Sequence, residues 1–280
     1  MPATQRILIK NPLCIFTPES AEPVTGLVIS GGIIESLLYN NKQPQTACDE
    51  VFDASGLVIL PGLINTHHHF YQTLTRAWAP VVNQPLFPWL QTLYPVWARL
   101  TPEALHLASQ VAMAELLLSG CTTAADHHYL FPEGLNDAID IQVDVVKQLG
   151  MRAMLTRGSM SLGEADGGLP PQHTVQTGEA ILKDSERLIQ QYHERGPNAQ
   201  IQIALAPCSP FSVTREIMQQ SAELAEAQDV RLHTHLAETL DEEAFCLKMF
   251  GMRTVDYLES VGWLSDRTWL AHGIHFNDDE

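Results

Sequence analysis

The chain has 280 residues, enough for one large α/β barrel or two ordinary domains. Hydrophobic residues make up 45% and charged residues 18%, a globular balance without the signature of disorder. A formal net charge of −17 repels phosphate backbones and argues against a nucleic-acid partner, and no apolar run approaches the ~18 residues of a membrane span.

Residues 1–10 lack the charged-then-apolar order of a signal peptide. Cys14, Cys48, Cys121, Cys208 and Cys246 are odd in number and scattered, with no CxxC pair. Free thiols in a reducing compartment follow, so a cytoplasmic protein is expected.

Residues 6–61 hold short β-type runs at 7–10, 26–30, 33–38 and 57–61, separated by Asn11-Pro12, Gly31-Gly32 and Asn40-Asn41. They predict a small β-sheet unit over residues 1–60. From Pro61 onward strands alternate with helices. Thr101 is a plausible N-cap, Pro102 sits at the first helical position, and Gly120 stops that helix. Leu105, Ala108, Ala112 and Leu116 form its apolar face, interrupted by Glu115. Further helices are predicted over 133–149, 177–194, 214–228, 239–249 and 253–261. Apolar runs at 57–66, 122–126, 152–156, 201–206, 230–236 and 269–274 supply six strands. Strands separated by helices predict parallel βαβ units over residues 61–280. The fold class expected is α/β, a TIM-type (β/α)8 barrel of which six strands are present. A doubly wound sheet competes, but it has no GxGxxG turn to support it.

Nine of the 12 histidines fall in four segments, each at the C-terminal end of a predicted strand, where barrel enzymes place their chemistry. These are His67/His68/His69, His127/His128, His233/His235 and His272/His275. Side chains two apart on a strand share a face, so His67 and His69 point together into the barrel mouth while His68 points away. Their neutral imidazoles suit zinc and iron(II). His233 and His235 share a face in the same way. Glu238 follows where the fifth strand gives way to a helix, a place from which a carboxylate can shuttle protons. His272 stands at the end of the sixth strand, where it can orient water or polarise a substrate. No HExxH helix and no HxE with PCxxC is present, which removes two other zinc plans. Cys208 has no acidic or amide orienter nearby and makes a poor nucleophile.

The order Pro61-Gly62-Leu63-Ile64-Asn65-Thr66-His67-His68-His69, then His235-Leu236-Ala237-Glu238, then Ala271-His272-Gly273 resembles the amidohydrolase superfamily, and within it the aminohydrolases that deaminate purines, pyrimidines and triazines. The resemblance covers essentially the whole chain. Residues 69–76, 86–90, 157–160, 166–171 and 206–212 sharpen it within that branch. It implies a hydrolytic deaminase with one divalent ion in the barrel mouth, zinc expected and iron the alternative. His67, His69 and His235 match the metal ligands, Glu238 the proton-carrying carboxylate, and His272 the histidine beside the hydrolytic water. Binuclear relatives use a carboxylated lysine on the fourth strand; residues 201–208 contain none, which implies a mononuclear site.

The substrate implied is a small, flat, purine-like ring; 8-oxoguanine would give urate and ammonia. Isocytosine, guanine and hydroxytriazines are the alternatives. Gln72 can present both amide groups to a ring edge. Arg157 can donate to an oxo group or form a surface ion pair. Trp89, Trp97 and Tyr129 can supply an aromatic wall or simply pack, and Cys208 a small apolar contact. No membrane partner is expected, and exposed barrel helices leave a homo-oligomer open.

The family pattern continues through two further βα units, and an aspartate ending the eighth strand completes its site. Asp278 and Asp279 are poor substitutes. The expectation is a C-terminally truncated barrel, with the partner strands of the N-terminal sheet absent, insoluble or inactive by itself. A non-catalytic barrel scaffold is the rival from another class.

Overall fold

The computed structural model describes residues 5–17 and 22–280, so part of the N-terminal stretch read for a targeting signal lies outside the described residues. The chain divides into two compact units, residues 1–63 and 64–280.

The first unit contains β1 (Arg6–Lys10), β2 (Cys14–Ile15), β3 (Val24–Ser30), β4 (Ile33–Tyr39), β5 (Glu50–Asp53) and β6 (Val58–Ile59). Four of these form a sheet in the order β4-β3-β1-β5, and β2 pairs with β6. Gly31 and Gly32 both adopt positive φ, 58° and 79°, between the paired residues Ser30 and Ile33. Two left-handed residues make the turn whose twist matches the flanking strands, which is why glycine stands at both positions. Ile15, Val24 and Leu27 form a small core.

The second unit runs β7 (Leu63–His68), α1 (Leu86–Trp97), α2 (Pro102–Leu118), β8 (Cys121–His128), α3 (Ala138–Leu149), β9 (Arg152–Ser159), α4 (Gly178–Tyr192), β10 (Ile201–Pro207), α5 (Arg215–Gln228), β11 (Leu232–Leu236), α6 (Leu240–Phe250), α7 (Thr254–Ser260) and β12 (Thr268–His272). Its six strands form one sheet in the order β12-β11-β10-β9-β8-β7, parallel from β8 through β12. β10 is buried on both faces along nearly its whole length, as a strand covered by helices outside and barrel contents inside must be. The sheet curls until its first and last strands meet: the Trp269 indole N–H donates to the Thr66 carbonyl at 3.1 Å. This is the expected α/β barrel architecture, present as six strands. No helix among the described residues is long and apolar enough to cross a membrane.

Several boundaries differ from expectation, each for a local reason. The run 57–66 breaks at Pro61-Gly62, so Val58–Ile59 belongs to the first unit and Leu63–His68 to the barrel. α3 starts at Ala138 because the preceding residues form a turn, closed by the Leu135 N–H to the Pro132 carbonyl at 3.0 Å. The helix over Leu86–Trp97 was not expected; Pro88 and Pro95 lie within it and Pro85 occupies its N-cap.

Gly158 shows how tightly the strands are seated. A Cβ there would lie 2.2 Å from the His128 carbonyl oxygen and 2.8 Å from the Tyr129 Cβ. Backbone cannot yield as a flexible side chain can, so G158A is expected to destabilise the protein by about 1–3 kcal/mol or more. Chemical denaturation of G158A beside wild type checks this, and an unchanged midpoint would contradict the packing described.

Candidate metal centre and active site

The strand ends bring four histidine segments together. One ring nitrogen from each of His67, His69 and His235 lies within 4.8 Å of the others. Backbone carbonyls fix the tautomers. The His69 Nδ1–H donates to the His127 carbonyl at 2.6 Å, and the His235 Nδ1–H to the Cys208 carbonyl at 2.6 Å. Each Nε2 therefore carries a lone pair, and the two Nε2 atoms face each other at 3.1 Å.

His67 is oriented through a longer chain. The His233 Nδ1–H donates to the Trp269 carbonyl at 2.8 Å, so its Nε2 accepts; His67 Nδ1, 2.8 Å away, is the donor. That leaves His67 Nε2 as the third lone pair. Lone pairs held this close repel unless a proton or a cation lies between them. Burial disfavours the proton: it pushes the pKa of His69 down to about 3 and, with help from neighbouring imidazoles, that of His67 to about 2. His235 is also driven well below its ordinary value, first by burial. Three neutral imidazoles oriented by partners on their other nitrogens fit a divalent cation.

A carboxyl stands beside them. After β11 the chain turns at Ala237, whose φ of 52° lies in the left-handed region. Glu242, buried one helical turn on, braces that turn: its Oε1 accepts from the Ala237 N–H at 3.1 Å and its Oε2 from the Glu238 N–H at 2.8 Å. Glu238 is thereby presented to His272, whose Nε2 lies 3.4 Å from Glu238 Oε2. His272 itself has φ 76°, which carries it out of the strand alternation, and its ring stacks on His235 at 5.4 Å. Burial raises the Glu238 carboxyl to about 7 and lowers His272.

These groups open on a cavity of about 280 Å³. His67, His69, His235, His272 and Glu238 line it, and α1 adds Leu86, Trp89, Leu90 and Tyr94. Gln72, Tyr129 and Cys208 also reach it, together with Phe211. Burial lifts the Cys208 thiol to about 12, so it stands there as a small neutral contact.

The structure does not bring Arg157 to this cavity. Arg157 pairs in register with His128, and Thr156 with His127. Strand alternation thus puts Arg157 on the outer face of the sheet. There its Nε donates to Asp184 of α4 at 2.6 Å and its Nη2 to Gln176 at 2.9 Å, while the guanidinium lies 3.7 Å over Phe131. It forms an ion pair, but a buried one rather than the surface pair expected as the alternative. Trp97 packs behind the cavity, its centroid 5.2 Å from both Trp89 and Tyr71. His68 does not line the cavity.

Comparison with known proteins follows the same lines. The amidohydrolase family pattern matches residues 58–280. The chain belongs to the amidohydrolase family. It is 73% identical to an 8-oxoguanine deaminase of Pseudomonas aeruginosa over 275 residues, 98% of this chain and 61% of that protein. It is 38% identical to a hydroxydechloroatrazine ethylaminohydrolase of Pseudomonas sp. (strain ADP), covering 81% of this chain and 47% of the relative. The crystal structure of an atrazine chlorohydrolase from Arthrobacter aurescens TC1, complexed with zinc, superposes with a TM-score of 0.88 at 31% identity, covering 95% of this chain and 60% of that one. The chain thus spans between about half and three fifths of the length of these amidohydrolases.

The cavity residues Leu86, Leu90 and Tyr94 and the bracing Glu242 are not singled out by the sequence, although signals for them existed. Leu86, Leu90, Tyr94 and Trp97 follow a helical repeat that the prolines disguised. Thr239 and Glu242 have capping-box spacing, and Thr239 does cap α6 by accepting from the Glu242 N–H. The Glu242 carboxylate, however, serves the turn before the helix.

Zinc or iron(II) is expected to raise the thermal midpoint of the protein, by mass action on the folded state, and H69A or H235A to abolish the rise. Depressed pKa values keep these imidazoles neutral in mild acid, so binding should persist at pH 5.5, below the ordinary value of 6.5. Titration calorimetry across pH tests this; affinity lost with a midpoint near 6.5 would contradict it.

Proposed function

We propose that the protein carrying this chain is a metal-dependent hydrolytic deaminase that converts 8-oxoguanine and water to urate and ammonia. The observation that carries the reading is the meeting of three imidazole lone pairs with a carboxyl of raised pKa at one small, largely apolar cavity. High identity to the Pseudomonas aeruginosa relative supplies the substrate.

His67, His69 and His235 would hold the ion, which we assign as zinc, with iron(II) the alternative; zinc in the Arthrobacter structure supports the assignment. Bound there, a divalent ion supplies Lewis acidity and brings the pKa of water from about 15.7 toward ~7. Glu238 takes a proton from the attacking water and delivers it to the ring nitrogen beside the amine-bearing carbon, which makes that carbon more electrophilic. Water oxygen bonds to the carbon, the exocyclic C–N bond breaks, and the amine leaves as ammonia after receiving a second proton through Glu238. His272, within reach of Glu238, orients the water. Gln72 presents its amide to the ring edge, with Trp89 and Tyr129 as apolar walls and Cys208 as a small contact.

Ammonia release from 8-oxoguanine, guanine, isocytosine and hydroxytriazine amines, measured with the full-length protein, tests the reading. Turnover of hydroxytriazine amines alone would move the assignment to the ethylaminohydrolase type, which the second relative supports. Less than one equivalent of metal bound, together with ammonia release from none of them, would favour a scaffold. E238Q is expected to lower kcat by roughly 10²–10⁴ with the ion retained. Glu238 must be ionised to accept the proton, so kcat/KM should fall on the acid side. The limb lies between the ordinary 4.5 and the buried value of about 7, because a nearby cation draws it down.

We also propose that residues 1–280 alone are insoluble or inactive, because β7 and β12, though linked by the Trp269 side chain, have no strand paired on their outer edges among the described residues. Soluble yield and turnover of that chain by itself are the measurements, and robust turnover would overturn the proposal.

A further inference from the structure

Tyr94 is fully buried at the cavity, and its hydroxyl makes no hydrogen bond to any group among the described residues. Its neighbours at the cavity are partnered. The Gln72 amide donates to the Tyr71 hydroxyl at 3.3 Å, and the Tyr71 and Tyr129 rings meet edge-on at 5.8 Å. A buried hydroxyl left without a partner costs free energy, and phenylalanine would fill the same space without that cost. The hydroxyl end of the ring lies within electrostatic reach of Cys208, Tyr71 and Glu238, of which Cys208 and Glu238 line the cavity. Burial holds the phenol well above its ordinary pKa, so it keeps its proton and is available as a donor.

We propose that Tyr94 is a specificity-determining residue whose hydroxyl donates a hydrogen bond to an oxo group of the flat ring bound in the cavity. The identity of the ring rests on the deaminase reading above; the need for an acceptor rests on Tyr94 itself. A ring bearing an oxo group satisfies the donor. An analogue without one leaves the buried hydroxyl unpaired, and sites built to hydrogen-bond a substrate group reject such analogues strongly.

The test is Y94F in the metal-loaded, full-length protein, compared with wild type on whichever oxo-bearing amine of the panel is turned over best. The expected result is a loss of roughly 10- to 100-fold in kcat/KM, an unchanged metal content, and a thermal midpoint unchanged or raised. Binding of 2-aminopurine, which has no oxo group, should change by less than about twofold. A kcat/KM within about twofold of wild type would overturn the proposal. So would an equal loss for 2-aminopurine, which would make Tyr94 a shaper of the cavity. Loss of the ion or a lower midpoint in Y94F would make the hydroxyl structural and overturn it too. Should no amine be turned over, the deaminase reading fails by itself, and Tyr94 is judged on the binding constants of 8-oxoguanine and 2-aminopurine.

Discussion

Two imidazole nitrogens 3.1 Å apart, both with lone pairs turned inward, are the constraint on which the barrel mouth depends. They meet because each ring is tied by its other nitrogen to a main-chain carbonyl, that of His127 for His69 and that of Cys208 for His235. Main chain is the least adjustable partner available, so neither ring can turn its N–H inward without abandoning a buried carbonyl. His67 joins them through His233 and the carbonyl of Trp269. The three anchoring carbonyls lie at or next to the ends of three different strands. The lone pairs therefore converge only when the whole sheet is curled. This ties ion binding to the tertiary fold and to the hydrogen bond that joins Trp269 to β7.

Two buried carboxyls brace the segments that leave the strands. Asp126 accepts from the Phe70 N–H at 2.6 Å and from Gln142 at 2.6 Å, fixing the 3-10 turn that follows His69. Glu242 does the same for the turn that carries Glu238. Neither has a cationic partner among its hydrogen bonds. Desolvation raises both to about 7, despite main-chain donors that pull the other way. Such braces make sense where the backbone must be held out of regular strand geometry, as at Ala237 with its left-handed φ.

What the sequence made legible is what obeys strand parity and helix punctuation. His67 and His69 share a face because they are two apart, and the six strands and most helices declare themselves by apolar runs between caps. Thr101 caps its helix as expected, accepting from the Ala104 N–H. Parity also explains the misplaced residue: Arg157 stands one position out of phase with the barrel interior, but a strand boundary read from apolar content alone does not fix phase. The register with β8 does. α1 was hidden because proline is a helix breaker in general; Pro85 and Pro88 are harmless near the helix N-terminus, where they remove no needed N–H, whereas Pro95 is accommodated inside the helix against its propensity. Glu242 was hidden because its partners are main-chain N–H groups four and five residues back, which no residue type advertises. Cavity walls of this kind come from the tertiary arrangement of a helix against strand ends, and local patterns carry little of that information.

The burial that creates the site acts in opposite directions on its two kinds of titratable group. Desolvation disfavours the charged form of each, so imidazoles lose protons more readily and carboxyls keep theirs. In one environment His67 and His69 fall to about 2 and 3 while Glu238 rises to about 7. The imidazoles are thereby left neutral, with lone pairs free, through mild acid. Glu238, outside the ligand set and only partly shielded, is left poised to exchange a proton near neutrality. A cation between the imidazoles would stabilise the Glu238 carboxylate, so under the proposed assignment its binding would also favour the ionised form of Glu238. The division between holding an ion and moving a proton thus needs no separate electrostatic device. It follows from placing nitrogen bases and a carboxylic acid in the same dry pocket, with carbonyls behind the first and main-chain N–H groups bracing the second.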